Sequence, residues 1–211
     1  MTAGDGHQGQ GAGTPVPRSA SSVPAAGLPD YAELRCVSTF SFLVGASQPE
    51  ELVERAHKQG YRALALTDEC SVAGVVRAHV AAKKIGLKLL IGSQFSVAVP
   101  EPSGSDAPGP FSLGVLACNL NGYGNLCEFI TKLRRASEKG TYHLNLGDIA
   151  SDELADCVVV ASPVRGSTDA QLVGLARWLL THFTGRCWLG VELLRQLDDE
   201  MWLHKLREAS D

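Results

Sequence analysis

Apolar positions along this chain switch between two rhythms. Residues 33–38 carry the short alternation of a strand and end in polar residues. Residues 39–47 then read as a loop. A helix begins with Ser47 as N-cap and Pro49 in its first turn, where Glu50 and Glu51 favour the positive end of the helix dipole. Leu52, Val53, Ala56 and His57 repeat at helical spacing, and Gly60 stops the run. The pattern recurs with a strand over 62–67 and a helix carrying Val72, Val75, Val76, Ala78, His79, Val80 and Ala82, closed by Gly86.

A third apolar strand is predicted over 87–91, continued or paired by 94–99, and a Pro/Gly/Ser/Asp loop over 100–110. A fourth strand follows over 113–118. Asn121-Gly122-Tyr123-Gly124-Asn125 leads into a helix with Leu126, Cys127, Phe129, Ile130 and Leu133 inward and Lys132, Arg134 and Arg135 outward. Strands at 158–161 and 187–193 alternate with helices at 168–183 and 198–209. This order predicts an α/β fold of βα units with a mostly parallel sheet, open or closed. The chain stops where a further strand is due, so the expected domain is truncated or its barrel is left open. Residues 31–211 read as one such barrel domain. Residues 1–30, rich in Gly, Ser, Ala and Pro, read as a disordered tail.

Composition narrows the class. With 45% hydrophobic and 20% charged residues and a net charge of −4, the chain reads as a globular domain and not as a strongly basic nucleic-acid binder. No apolar run approaches the roughly 20 residues that span a bilayer, and no secretory signal is visible at the start. Six cysteines without CxxC spacing read as small buried apolar residues in a reducing cytosol, which places the chain in the cytoplasm.

Reactive residues in parallel α/β architectures collect at the C-terminal ends of strands. Those ends offer Arg35, Val37, Asp68, Glu69 and Gln94, with no histidine. Asp68 is the candidate metal ligand. It can equally cap a helix starting near Ser71. Glu69 reads as a second first-turn acid. His57, His79, His182 and His204 fall inside helices without metal-ligand spacing. Ser38, Ser41 and Ser47 lack a GxSxG elbow and read as turn and cap hydroxyls. Cys36 and Cys70 sit at neighbouring strand ends, but Arg35 would repel a cation there. Lys132, Arg134, Arg135 and Lys139 form a basic patch that reads as a solvated face, and the three tryptophans read as core.

Three stretches carry a family resemblance. The run Tyr31-Ala32-Glu33-Leu34-Arg35-Cys36-Val37-Ser38-Thr39-Phe40-Ser41-Phe42-Leu43-Val44-Gly45-Ala46-Ser47 resembles the first motif of the polymerase-and-histidinol-phosphatase (PHP) domain. It is closest to the version at the N-terminus of bacterial error-prone DNA polymerase III alpha subunits. Residues 63–79, around Leu66-Thr67-Asp68-Glu69-Cys70, are similar to the second motif, and Leu89-Leu90-Ile91-Gly92-Ser93-Gln94-Phe95 to the third. The runs 121–126 and 191–195 extend the likeness.

This resemblance implies a distorted (β/α)7-type barrel, here incomplete at the C-terminus. Active members hold metals at the strand ends and remove phosphate or proofread DNA, and in polymerases the domain also braces the core. The His-x-His pair of the first motif appears here as Arg35 and Val37, the histidine after the aspartate as Glu69, and the glutamate of the third motif as Gln94. Asp68 alone matches a ligand position, and the last metal motif would fall beyond Asp211. The implied role is non-catalytic and structural, with no cofactor expected for this chain. In the intact relative the resemblance implies DNA-damage-associated translesion synthesis, Mg2+ at the palm, and DNA, a sliding clamp and mutagenesis accessory proteins as partners. A rival reading is a small metal-dependent phosphoesterase with a rearranged ligand set of Asp68, Glu69 and Cys70. A third is a barrel that does not fold stably alone and leaves a strand edge open to other chains.

Overall fold

In a computed structural model of the chain, residues 30–99 and 107–210 are described. The tail expected over 1–30 lies outside them apart from Asp30, as do residues 100–106 of the expected loop. The described chain forms β1 (Ala32–Cys36), α1 (Pro49–Lys58), β2 (Ala63–Leu66), α2 (Val75–Ile85), β3 (Lys88–Val97) and β4 (Phe111–Ala117). It continues with α3 (Leu120–Arg135), a short 3-10 turn (Leu146–Asp148), β5 (Cys157–Pro163), α4 (Asp169–His182), β6 (Cys187–Leu189) and α5 (Asp199–Ser210).

The six strands lie side by side in chain order, and the sheet curls into a half-barrel. β1, β2 and β3 are parallel, β5 and β6 are parallel, and β4 runs antiparallel between β3 and β5. The reversal follows from connectivity. No described helix lies between β3 and β4. A parallel neighbour needs a crossover, whereas a hairpin-like link gives an antiparallel one.

Local sequence explains most boundaries. Pro49 occupies the first turn of α1, and Gln48 and Glu51 form a capping box, so the cap is Gln48 and not Ser47. Gly86 ends α2 in the left-handed conformation that glycine adopts without strain. Residues 88–97 make one unbroken strand. β6 is shorter than expected and stops at Leu189. At Gly190 a Cβ would lie 2.3 Å from Ser162 Oγ, and the segment after it leaves the ladder.

Packing is layered. Leu64 and Leu66 of β2 meet Val53 and Ala56 of α1 and Val75, Ala78 and Ala82 of α2. A larger cluster joins Phe95, Leu113 and Val115 to Leu126, Phe129 and Leu133 of α3, and Val159 to Leu175 and Leu179 of α4. Phe95 and Phe129 meet edge to face at 5.3 Å. Each such buried side chain contributes about 1.5–3 kcal/mol through burial of apolar surface. The inner side of the curl differs. Gly114, Leu116, Val160 and Ser162 floor a cavity of about 530 Å³ between β1 and residues 191–194. Gly114 and Ser162 there leave room for a long side chain from β1, and Arg35 lines the same cavity.

Tryptophan placement departs from expectation once. Trp202 is buried and Trp178 packs on the main core, but Trp188 is 55% exposed on the edge strand β6. The six cysteines are free thiols. No described helix is long and apolar enough to cross a membrane.

Candidate functional site at the barrel mouth

Strands β1, β2, β5 and β6 point their C-terminal ends to one rim, where the candidate residues meet. Asp68 directly follows β2 and is 1% exposed. Its Oδ1 accepts from the Ser38 backbone N–H at 2.7 Å and the Ser41 hydroxyl at 2.7 Å, and its Oδ2 accepts from the Ser38 hydroxyl at 2.8 Å. Three donors from the β1–α1 loop therefore hold both oxygens. Such bonds fix the position of both oxygens. The alternative role as a helix cap is not what Asp68 performs, since α2 begins at Val75 with Gly74 as its N-cap. The carboxylate binds sideways to the neighbouring loop instead.

The backbone around Asp68 is equally tied. Its carbonyl accepts from Ser93 Oγ at 2.7 Å and from the Gln94 N–H at 3.2 Å. Cys70 N–H donates to the Gln94 carbonyl at 2.8 Å. Cys70 sits at φ 45°, a left-handed conformation unfavourable for a residue with a side chain, and these bonds hold it there.

A second network crosses the rim. Arg35 Nε donates to Gln94 Oε1 at 2.8 Å, and Gln94 Nε2 donates to Glu69 Oε2 at 2.9 Å. Glu69 Oε1 accepts from the Tyr142 hydroxyl, from the Ser96 hydroxyl at 3.0 Å and from the Ser96 N–H at 3.2 Å. Arg35 also reaches Ser112 Oγ at 3.3 Å across the lumen and forms an ion pair with Glu192 after β6. The chain Glu192–Arg35–Gln94–Glu69–Tyr142 thus links β1, β3 and the segments after β2, β6 and α3. Burial draws the Arg35 pKa down, while the fields of Glu69 and Glu33 push it back up. Burial, and then the bond to Glu69, hold the Tyr142 phenol well above its usual range.

Arg134 departs from its expected outward place on α3. It donates from Nη2 to the Glu69 carbonyl at 3.3 Å and from Nε to the Cys70 carbonyl at 3.2 Å, and lies 5.5 Å from the centre of the Tyr142 ring. Lys132 pairs with Glu153 at 2.5 Å. The basic patch is therefore partly spent on structure. Tyr142 carried no signal in the sequence, because its partner Glu69 lies 73 positions away. Ser38 and Ser41, read as turn hydroxyls, turn out to be the partners of Asp68.

These residues do not suit a metal cluster. Among the described residues, no three His, Cys, Asp or Glu side chains are grouped as a metal ion requires. The oxygens of Asp68 and Glu69 already accept from protein donors, and Cys70 is buried in the main core with its thiol pushed up to about 11 by burial. A guanidinium beside Gln94 adds repulsion to any incoming cation. Val37, at the other position of the first motif, offers no donor.

The curled sheet, its helical outer layer and this rim define a class. The PHP domain model matches residues 33–170, and the chain belongs to that family. It is 50% identical over 182 residues to an error-prone DNA polymerase of Bordetella parapertussis, covering 82% of this chain and 17% of the relative. A second error-prone DNA polymerase, from Dechloromonas aromatica, is 50% identical over 170 residues, covering 79% of this chain and 15% of the relative. The chain thus spans about a sixth of the length of these relatives. Among solved structures, a putative metal-dependent phosphoesterase from Bifidobacterium adolescentis superposes with a TM-score of 0.57 at 17% identity, covering 89% of this chain and 85% of the other. An amidohydrolase from Chromobacterium violaceum gives a TM-score of 0.59 at 17% identity, covering 84% and 83%. At such identities the likeness speaks for the fold alone.

Proposed function

We propose that this chain is a non-catalytic, structural PHP domain of the error-prone DNA polymerase type. One observation carries the reading: the rim positions hold one another. Both oxygens of Asp68 accept from Ser38 and Ser41, and Arg35, Gln94, Glu69 and Tyr142 form a continuous run of hydrogen bonds. A catalytic metal needs open donors and a position for water or substrate. Here the same places cross-link the strands of the half-barrel, which suits a module that supports or contacts other protein.

The curated relatives carry a comparable segment within a much longer polypeptide. On this reading the complete protein copies DNA past lesions in the cytoplasm, with Mg2+ held by carboxylates outside this chain. Its partners are DNA, a sliding clamp and mutagenesis accessory proteins.

Isothermal titration of the purified chain with Mn2+ or Zn2+ tests the structural role. The expected result is no binding in the micromolar range. Micromolar binding of several ions per chain, with turnover of a phosphomonoester that vanishes in Asp68→Ala, would replace this reading with the phosphoesterase alternative.

A further inference from the structure

The loop between β1 and α1 combines two properties that rarely coincide. Its tip is apolar and open to solvent: Phe42 is 84%, Leu43 90% and Val44 67% exposed. Its base is fixed. Thr39 N–H donates to the Ser47 carbonyl at 2.9 Å, Ser41 N–H to the Ser38 carbonyl at 2.9 Å, and Gly45 N–H to the Ser41 carbonyl at 2.9 Å. Ser38 and Ser41 are anchored in turn on buried Asp68. Leu43 adopts φ 63°, a left-handed conformation that costs a branched side chain free energy and that glycine would take without cost. A leucine held in strain at the apex, outside any core, contributes nothing to this domain's own packing.

Neighbouring charge narrows what covers the tip. Residues 38–51 contain Glu50 and Glu51 and neither lysine nor arginine. Membrane-inserting loops and nucleic-acid contacts draw on flanking basic residues, and this loop has none. A second apolar stretch, with Leu193 49%, Leu194 66% and Leu197 109% exposed, follows β6 at the same rim. The matched segment accounts for 17% of a relative's polypeptide, so most of such a protein lies outside it.

Building on the structural role above, we propose that the Phe42-Leu43-Val44 tip is a preformed docking knob. Its occupant is an apolar protein surface in the rest of the polypeptide that accompanies this domain in its error-prone polymerase relatives. Asp68 is the positioning residue that keeps the knob in shape. Preorganisation lowers the ordering cost of docking, which suits a contact that must form within one chain.

The test compares the isolated chain with a chimera in which it replaces the matching segment of the Bordetella parapertussis enzyme. Amide exchange across residues 39–46 is expected to slow at least tenfold in the chimera. Leu43→Ser is expected to lower the chimera's unfolding midpoint and leave that of the isolated chain level. Unchanged exchange at 39–46 with protection elsewhere on the domain would overturn the knob and leave the structural role standing. No protection anywhere would overturn both. Sedimentation of the isolated chain, alone and with phosphatidylcholine–phosphatidylserine vesicles, is the second measurement. It is expected to show an unbound monomer; self-association or vesicle binding abolished by Leu43→Ser would assign the tip to another occupant and sink the proposal.

Discussion

Arg35 Nε donates to Gln94 Oε1 at 2.8 Å, a bond between side chains 59 positions apart on β1 and β3. One guanidinium serves Gln94, Ser112 and Glu192, and so ties three strands and the segment after β6. Arg35→Ala is expected to cost about 1–3 kcal/mol, since it leaves the Gln94 and Glu192 acceptors without their donor. Arg35→Lys is expected to recover little of that, because an ammonium lacks the planar fork that reaches three acceptors. Urea unfolding of the three proteins checks both statements.

Asp68 acts through the loop it holds. Asp68→Ala removes the acceptor of three hydrogen bonds and strands two buried hydroxyls. The expected loss is about 3 kcal/mol. Amide exchange should rise across 38–45 before it rises in the core around Phe95. A loss of stability with no change in that loop would contradict the role.

Gly45 is required by space. A Cβ placed there would lie 1.9 Å from the Ser38 carbonyl oxygen, which is backbone and cannot swing away. Gly45→Ala is therefore expected to cost about 1–3 kcal/mol or more, as overpacking does. The thermal midpoint measures it, with Gly124→Ala as the comparison: that site lies inside α3 with nothing within 4 Å, and alanine there is expected to gain up to about 1 kcal/mol.

Much of this was legible in the sequence. The βα rhythm, the turn at Gly86 and the strands around Leu64 and Val159 follow from local period and punctuation, which short-range physics controls. The antiparallel β4 was missed because strand direction depends on how neighbours connect, not on the strand's own residues. Asp68 stood out as a lone carboxylate after a strand. Its partners Ser38 and Ser41 did not, since hydroxyl side chains serve turns far more often. Tyr142 and the inward turn of Arg134 were invisible: each depends on an element 60 or more positions distant meeting the rim. Val191 and Leu193 look like strand residues, but pairing with β5 ends at Leu189 and Glu192 is committed to the ion pair with Arg35, a partner more than 150 positions away.

Alkaline pH should weaken the fold. Burial pushes the thiols of Cys36, Cys70 and Cys157 up to about 11, from an ordinary value of 9.0. A pKa raised in the folded state means the contribution is fully present below about pH 9 and is lost as pH climbs toward 11, because the unfolded chain releases those protons first. Tyr31, raised to about 12 by burial and by Glu33, extends the loss further. The expected observation is a thermal midpoint that falls between pH 9 and 11, less steeply in Cys157→Ala. Exposed Cys118 should react with a thiol reagent at pH 8, and buried Cys70 and Cys157 only on unfolding.

The central claim is that protein donors, not a cation, occupy the carboxylates at the rim. Manganese soaked into crystals of the chain addresses it most directly, through anomalous scattering around Asp68. The account predicts no anomalous peak within coordination distance of that carboxylate or of Glu69. A strong peak there, with Ser38 and Ser41 turned away from Asp68, would contradict it.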